Sequence, residues 1–322
     1  MHIIRLFIPL SLLALFISCQ PQESESAASR VDVEAIRTSM PQQSINDDQY
    51  WRQGKAELNR YELLQNRYRD VHPGEAVLVF VLEDFLTDKQ VKNDNYRNPN
   101  STPILKTNGL FRFPTGIYDY SLMLSVFTPF DVNQFPQTLK VTHTAQDWCG
   151  QGYLQLNHQK EGYKVSSFSY FESEGDLVTT VPVAMLEDEL YNRIRLNPDQ
   201  LPQGEIDLLP SSNVIRMMHL PFKAFKARVE KKNYVGEEFE GDNQQVLIVN
   251  YPDLNRQLEI VYSGNTPYEI LGWKDTYPSA FDRRPRTTIA KRTHKLLSPY
   301  WSKNALADQD LRAKLGLVNF LP

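Results

Sequence analysis

The chain has 322 residues, 41% hydrophobic and 23% charged, with a formal net charge of −4. Those values belong to a chain that folds, and they exclude both a disordered polyelectrolyte and the basic footprint that a phosphate backbone requires. No nucleic-acid partner is expected. Sixteen Tyr, sixteen Phe and four Trp suit pleated, half-buried surfaces and a large core.

Arg5 is followed by an almost wholly apolar run, 6–16, broken by Pro9 and Ser11. That is the length of a secretory signal core and too short for a membrane-spanning helix, which takes about 20 apolar residues. The run ends in Phe16-Ile17-Ser18-Cys19. This resembles a lipobox, with a small residue before the Cys and Phe16 where Leu is usual. The resemblance implies removal of residues 1–18 and a diacylglycerol on Cys19, held firmly only if more than one acyl chain is attached. The plainer alternative is a cleaved signal beside an accidental Cys. Residues 19–47 then read as the lipidated Cys and a flexible tether, since 20–29 is rich in Ser and Glu and cannot bury a core. Acidic residues just after Cys19 also resemble surface-export signals of some Bacteroidetes lipoproteins. With Cys19 lipidated, Cys149 is the remaining thiol and no internal disulfide forms.

Residues 48–322 are expected to form a β-rich globular domain. Segment 50–70 fits a helix through Leu58, Tyr61, Gln65 and Tyr68, or an exposed strand. His72-Pro73-Gly74 reads as a turn, 76–82 as a buried strand and 88–103 as a loop. In 117–127, Tyr118, Tyr120, Leu122, Leu124 and Val126 alternate. Past Pro136, Leu139, Val141, His143 and Ala145 alternate against Thr. With 153–158 and 163–171 these make an antiparallel meander. Residues 182–197 carry the clearest helical pattern, with Leu186, Leu190 and Ile194 on one face, Glu187-Asp188-Glu189 in the first turns and Asn197-Pro198 as a stop. Strands follow at 204–209 and 222–229, and a second meander at 246–249, 258–262 and 268–273. Near the end, Asn304 is placed to cap a helix carrying Leu306, Leu311 and Leu315, closed by Gly316. The expected fold class is therefore α+β, mostly antiparallel: a curved sheet or open barrel packed on one central helix, plus a C-terminal helix.

Chemistry is sparse. Cys149, in Asp147-Trp148-Cys149-Gly150, is a candidate nucleophile with His143 or His158 as base. A buried His143 in the core and an inert thiol explain the same residues. Glu172, Glu174 and Asp176 alternate around a turn and suit calcium, or simply a solvated strand end. Arg283-Arg284-Pro285-Arg286 with Lys291-Arg292 reads as a basic surface segment, able to meet lipid phosphates or an anionic polysaccharide. No phosphate-loop, nucleophile-elbow or zinc-protease motif occurs in the sequence, so no cofactor and no metal are expected.

Tyr50-Trp51-Arg52-Gln53-Gly54-Lys55-Ala56-Glu57, segment 76–85, Thr115-Gly116-Ile117-Tyr118, Gln146-Asp147-Trp148-Cys149-Gly150, segment 169–176 and Ile270-Leu271-Gly272-Trp273 together resemble an uncharacterised family of Bacteroidetes lipoproteins. Its members are sometimes labelled septum formation inhibitor Maf. The likeness spans about residues 48–280 and tilts segment 50–70 toward strand. The Ser-Pro-Arg-Arg motif of cytoplasmic Maf pyrophosphatases has no counterpart, because Arg283-Arg284 follows Asp282. The resemblance thus implies a location and a coherent fold and assigns no chemistry. The expected function is a lipid-anchored envelope lipoprotein, on the outer membrane in preference to the inner and open to surface display. It would be a non-catalytic binding or scaffolding module for an apolar or lipid ligand or an envelope protein. The alternative is an envelope hydrolase or transferase using Cys149.

Overall fold

The computed structural model describes residues 48–318. The signal segment, Cys19 and the tether lie outside the described residues. A single helical turn, α1 (Asp48–Trp51), leads into fifteen strands. The first eight are β1 (Ala56–Arg67), β2 (Asp70–Leu86), β3 (Ser101–Thr115), β4 (Tyr118–Pro129), β5 (Lys140–Asp147), β6 (Gly150–Gln159), β7 (Gly162–Phe168) and β8 (Asp176–Val181). After β9 (Met185–Leu186) and helix α2 (Leu190–Leu196) come β10 (Gly204–Leu209), helix α3 (Ser212–Met218), β11 (Phe225–Asn233), β12 (Gln244–Tyr251), β13 (Arg256–Ser263), β14 (Ile270–Pro278) and β15 (Pro285–Ser298). Helix α4 (Asp310–Lys314) follows.

All fifteen strands form one sheet, in the order β8-β7-β6-β5-β4-β3-β2-β1-β15-β14-β13-β12-β11-β10-β9. Every neighbouring pair is antiparallel except the short parallel β9–β10 pair. The sheet is large, curved and unclosed. Its free edges, β8 and β9, are consecutive in the chain, and side chains bridge them. Val165 and Val181 pack with Leu186 of β9, Leu209 of β10 and Ile215 of α3 in one buried cluster. Because the antiparallel order alternates direction, the turns after β1, β3, β5 and β7 share one end of the sheet with the β10–β11 connection that contains α3. The start of β1 lies at the opposite end.

The alternation foreseen in the sequence carries this architecture. On β4 and β5, Tyr120, Leu122, Leu124, Val126, Val141 and Ala145 are buried, while the residues between them are mostly polar. On β11, Lys226, Arg228 and Lys232 lie outward between buried Ala227 and Val229. This is the pattern of an antiparallel sheet with a packed inner face and a wetted outer one.

Segment 50–70 takes the strand alternative as β1, preceded by the short α1. Other expectations change. His72-Pro73-Gly74 lies inside β2, paired with Leu63 to Gln65 of β1. Pairing of β2 to β3 begins only at Glu75, so Pro73 withholds a donor from an unpaired side, where it is tolerated. Gly74 is required there, since a Cβ would stand 2.3 Å from the carbonyl oxygen of Arg112. The basic segment keeps Arg283, Arg284 and Lys291 exposed and runs into β15, which joins the two meanders through β1 and β14. Thr288 and Ala290 are buried on one face, and Arg292 and Lys295 both bind Glu269.

The expected helix over 182–197 shrinks to the seven residues of α2, preceded by β9 and a 3-10 turn at Glu187–Glu189. Seven residues do not hold a helix in water. Burial of Leu190, Ile194 and Leu196 supplies roughly 2 kcal/mol apiece. Asn192 ties α2 to two strands, donating to the Leu105 carbonyl at 3.0 Å and to Thr128 Oγ1 at 2.9 Å. With α3 also packed against the sheet, one central helix does not describe the interior. At the C-terminus a 3-10 turn (Leu306–Asp308) and the five-residue α4 replace the expected helix. Asp308, not Asn304, accepts the capping N–H, from Ala305. Leu306 is 84% exposed and Leu315 is buried, so these leucines do not share a face.

Candidate functional site

Asp147-Trp148-Cys149-Gly150 forms the β5–β6 turn. Cys149 is exposed, and its N–H donates to Asp147 Oδ1 at 2.7 Å. His143 sits on the inner face of β5, 2% exposed, with Nε2 2.9 Å from Asn213 Oδ1 of α3. Four residues of strand, roughly 13 Å, separate it from the turn. His158 is at the far end of β6, its ring 5.3 Å from that of Tyr163. The structure does not bring Cys149 to either histidine.

Burial depresses His143 to about 4, against the Asn213 contact that favours its charged form and alongside Arg216, which disfavours it. Its folded value lies below the unfolded one, so the neutral ring contributes stability that is present above about pH 6.5 and lost as the pH falls toward 4. Between about pH 7.5 and about pH 5 this accounts for roughly 2 kcal/mol. A His143→Gln variant is expected to lose that much less than the parent over the same interval, measured by urea unfolding at both pH values. Equal losses would show that His143 titrates normally.

The acidic triplet, expected to serve a helix dipole, is instead buried and fans into three walls. Glu187 accepts from Arg256 and from Tyr251 Oη at 2.7 Å. Asp188 accepts from the N–H and Oγ of Ser212, the latter at 2.6 Å. Glu189 binds Thr138, Arg193 at 3.0 Å and the Leu186 N–H at 3.1 Å. Burial pushes the Asp188 carboxyl up to about 7, against the Ser212 bonds that lower it. Glu187 and Asp188 border a cavity of about 80 Å³ with Arg256, Asp275 and Tyr191. It is too small for an organic ligand. A concavity of about 600 Å³ over β11–β13 is lined by Arg228, Glu230, Lys232 and Glu259. It sits on the outer face, where Val246 and Ile248 lie among these charged residues and Asn233, Asn250 and Gln257.

The third cavity differs. It measures about 410 Å³, within the range of ordinary ligand sites. Its walls are Leu154 of β6, Leu177 and Thr179 of the free edge β8, and Ile215, Leu220 and Phe222 of α3 and the loop after it. His143, Ser212 and His219 also line it, and Glu174 and Arg216 bring charge. Glu174 is engaged by His219 Nδ1 at 2.5 Å and by Ser169 Oγ. The pocket lies between the edge strand β8 with its neighbours and α3, which packs on the inner face against β4 and β5. Phe168, Tyr170 and Val178 are 47%, 64% and 64% exposed around the same edge.

Sequence reasoning missed α3 and with it Arg216. The signal was present in Ser211-Ser212-Asn213 before Val214-Ile215, since Ser211 Oγ accepts from the Val214 N–H at 3.2 Å, as an N-cap does. Of the residues suggested for calcium, Glu174 lines the pocket. Among the described residues no group of three or more His, Cys, Asp or Glu is placed to hold a metal ion. No helix among them is long and apolar enough to cross a membrane.

No protein-family model matches the chain, and no curated protein matches it. Among solved structures, the chain is similar to a porin-like protein from Bacteroides uniformis, at 8% identity and a TM-score of 0.21, over 74% of this chain and 95% of that one.

Proposed function

We infer that this chain is an envelope protein anchored by lipid on Cys19, whose sheet serves as a non-catalytic binding module for a small apolar or amphipathic ligand. The single observation that carries the reading is the pocket of about 410 Å³ between β6–β8 and α3, apolar along its floor and charged at its rim. Export and anchoring are supported by the apolar run before Cys19, the polar tether after it and the likeness to Bacteroidetes lipoproteins. The outer membrane is the favoured address. Ala56, where β1 begins, is at the end of the sheet opposite the pocket. A hydrolase using Cys149 has less support, because neither histidine stands beside that thiol.

One set of preparations tests both parts. The full chain is expected in the membrane fraction, and its Cys19→Ala variant in the soluble one. The soluble variant is expected to bind the neutral fluorophore phenylnaphthylamine saturably, at one site per chain. Gly152→Phe should abolish that binding without unfolding the protein. A Cβ at Gly152 meets nothing closer than Arg216 Nε and the Phe168 carbonyl oxygen, both at 3.6 Å, so the ring enters the cavity without a backbone clash. Binding that survives Gly152→Phe would remove the pocket from the function. Membrane retention of Cys19→Ala would remove the anchor.

A further inference from the structure

The arginines of the interior are not held alike. Arg195 makes two bonds to Glu57. Arg256 makes four, to Glu187 and Asp275, between 2.6 and 2.9 Å. Arg216, on α3, lines the pocket, and its side chain is 13% exposed. Among the described residues its one carboxylate contact is Asp147 Oδ2 at 3.5 Å, the limit of a hydrogen bond. That carboxylate already accepts the Cys149 N–H through its other oxygen. Phe171 lies beneath the guanidinium at 4.9 Å and fixes its plane without supplying an acceptor. Arg216 Nη1 is buried with no hydrogen-bond partner among the described residues. A buried guanidinium donor left unpaired carries a desolvation cost that a bound acceptor would relieve.

Glu174, the nearest competing anion in the cavity, is already met by His219 and Ser169. Against the upward push of burial, the bonds from His219 and Ser169 hold the Glu174 carboxyl down, and Arg216 adds a smaller push the same way and also disfavours protonation of His143. A positive field therefore reaches across the rim of an apolar cavity.

We propose that the Arg216 end of this pocket is an oxyanion site, which takes the carboxylate, sulfate or phosphate head of an amphiphile whose chain lies along Leu154, Leu177, Ile215 and Phe222. This rests on the pocket being a ligand site, as inferred above. Arginine suits the role because its planar fork offers two parallel donors to an oxyanion. The head selects the ligand, and the apolar wall supplies contact area to any chain of matching length.

The test is displacement of phenylnaphthylamine from the soluble Cys19→Ala chain by dodecanoate, dodecanol and dodecylamine, which share a chain and differ in head charge. Dodecanoate is expected to displace the dye at about tenfold lower concentration than dodecanol, the size of one charge-assisted hydrogen bond in a partly desolvated site. Arg216→Gln should erase that difference and leave dodecanol unchanged, and Arg216→Lys should keep part of it. Should Arg216→Gln fail to fold, the ranking of the three ligands on the Arg216-containing pocket still decides. Equal binding of dodecanoate and dodecanol overturns the oxyanion site while the pocket stands. Preference for dodecylamine also overturns it and assigns the head to Glu174. Absence of dye binding removes the pocket and this proposal together.

Discussion

Replacing Arg256 with methionine is expected to lower stability by about 3–5 kcal/mol, the usual cost of removing one partner from a buried charge pair. Arg256 is 1% exposed and Glu187 2%. The guanidinium lies between two carboxylates, Nε and Nη2 on Asp275 at 2.7 and 2.9 Å, Nη1 and Nη2 on Glu187 at 2.6 Å each. Methionine fills comparable volume, so packing contributes little to the loss and the two uncompensated carboxylates contribute most. Burial already raises the Asp275 carboxyl, with Arg256 opposing it. Without Arg256 that carboxyl rises further. A carboxyl raised on folding contributes stability below its unfolded value and loses it as the pH climbs through the folded one. The penalty of Arg256→Met should therefore be smaller at about pH 5 than at about pH 8, and chemical denaturation at both pH values measures it. Adding Glu187→Gln and Asp275→Asn should recover part of the loss. A penalty below about 1 kcal/mol, as for a surface pair, would mean the network is wetted rather than buried.

The second large effect is at Arg195 and Glu57, where both side chains are fully buried. Arg195 is bound in bidentate fashion by Glu57 and lies 4.9 Å from the rings of both Trp51 and Phe80. Burial would raise the Glu57 carboxyl, but Arg195 overrides it and holds it at about 2. Glu57 therefore contributes stability that is present above its ordinary value of 4.5 and lost as the pH falls toward 2. Arg195→Met and Glu57→Leu should each cost about 3–5 kcal/mol. The double replacement should cost less than their sum by about 1–3 kcal/mol, because it leaves neither charge buried alone. A double-mutant cycle by urea unfolding measures that coupling, and strict additivity would show that the two charges do not depend on each other.

Both networks join parts of the chain that are far apart in sequence, and this explains what could be foreseen. Alternation is a local property, so β4, β5, β6 and the second meander were legible from Leu122, Val141, Leu154, Leu247 and Ile260, each followed by a residue for the other face. The antiparallel class and the curvature of the sheet follow from such strands. Three strands escaped notice because their patterns mix the two faces. β3 carries Lys106, Asn108 and Gly109 among its apolar residues, and β15 looks basic because Lys291 and Lys295 lie exposed along it. β8 offers one fully buried residue, Val181.

Composition, the apolar run before Cys19 and strand periodicity belong to the chain alone, because each is set by neighbours within a few residues. Everything that makes the pocket depends on meetings across the sheet. Whether Glu187-Asp188-Glu189 caps a helix or pins three walls turns on the positions of Arg256, Ser212 and Thr138. Whether His143 is a base or a core residue turns on Asn213, seventy residues away. A charged or polar side chain in a linear sequence carries no mark of its burial. Its chemistry is settled only when folding withdraws it from water and gives it a partner or, at Arg216 Nη1, leaves it without one.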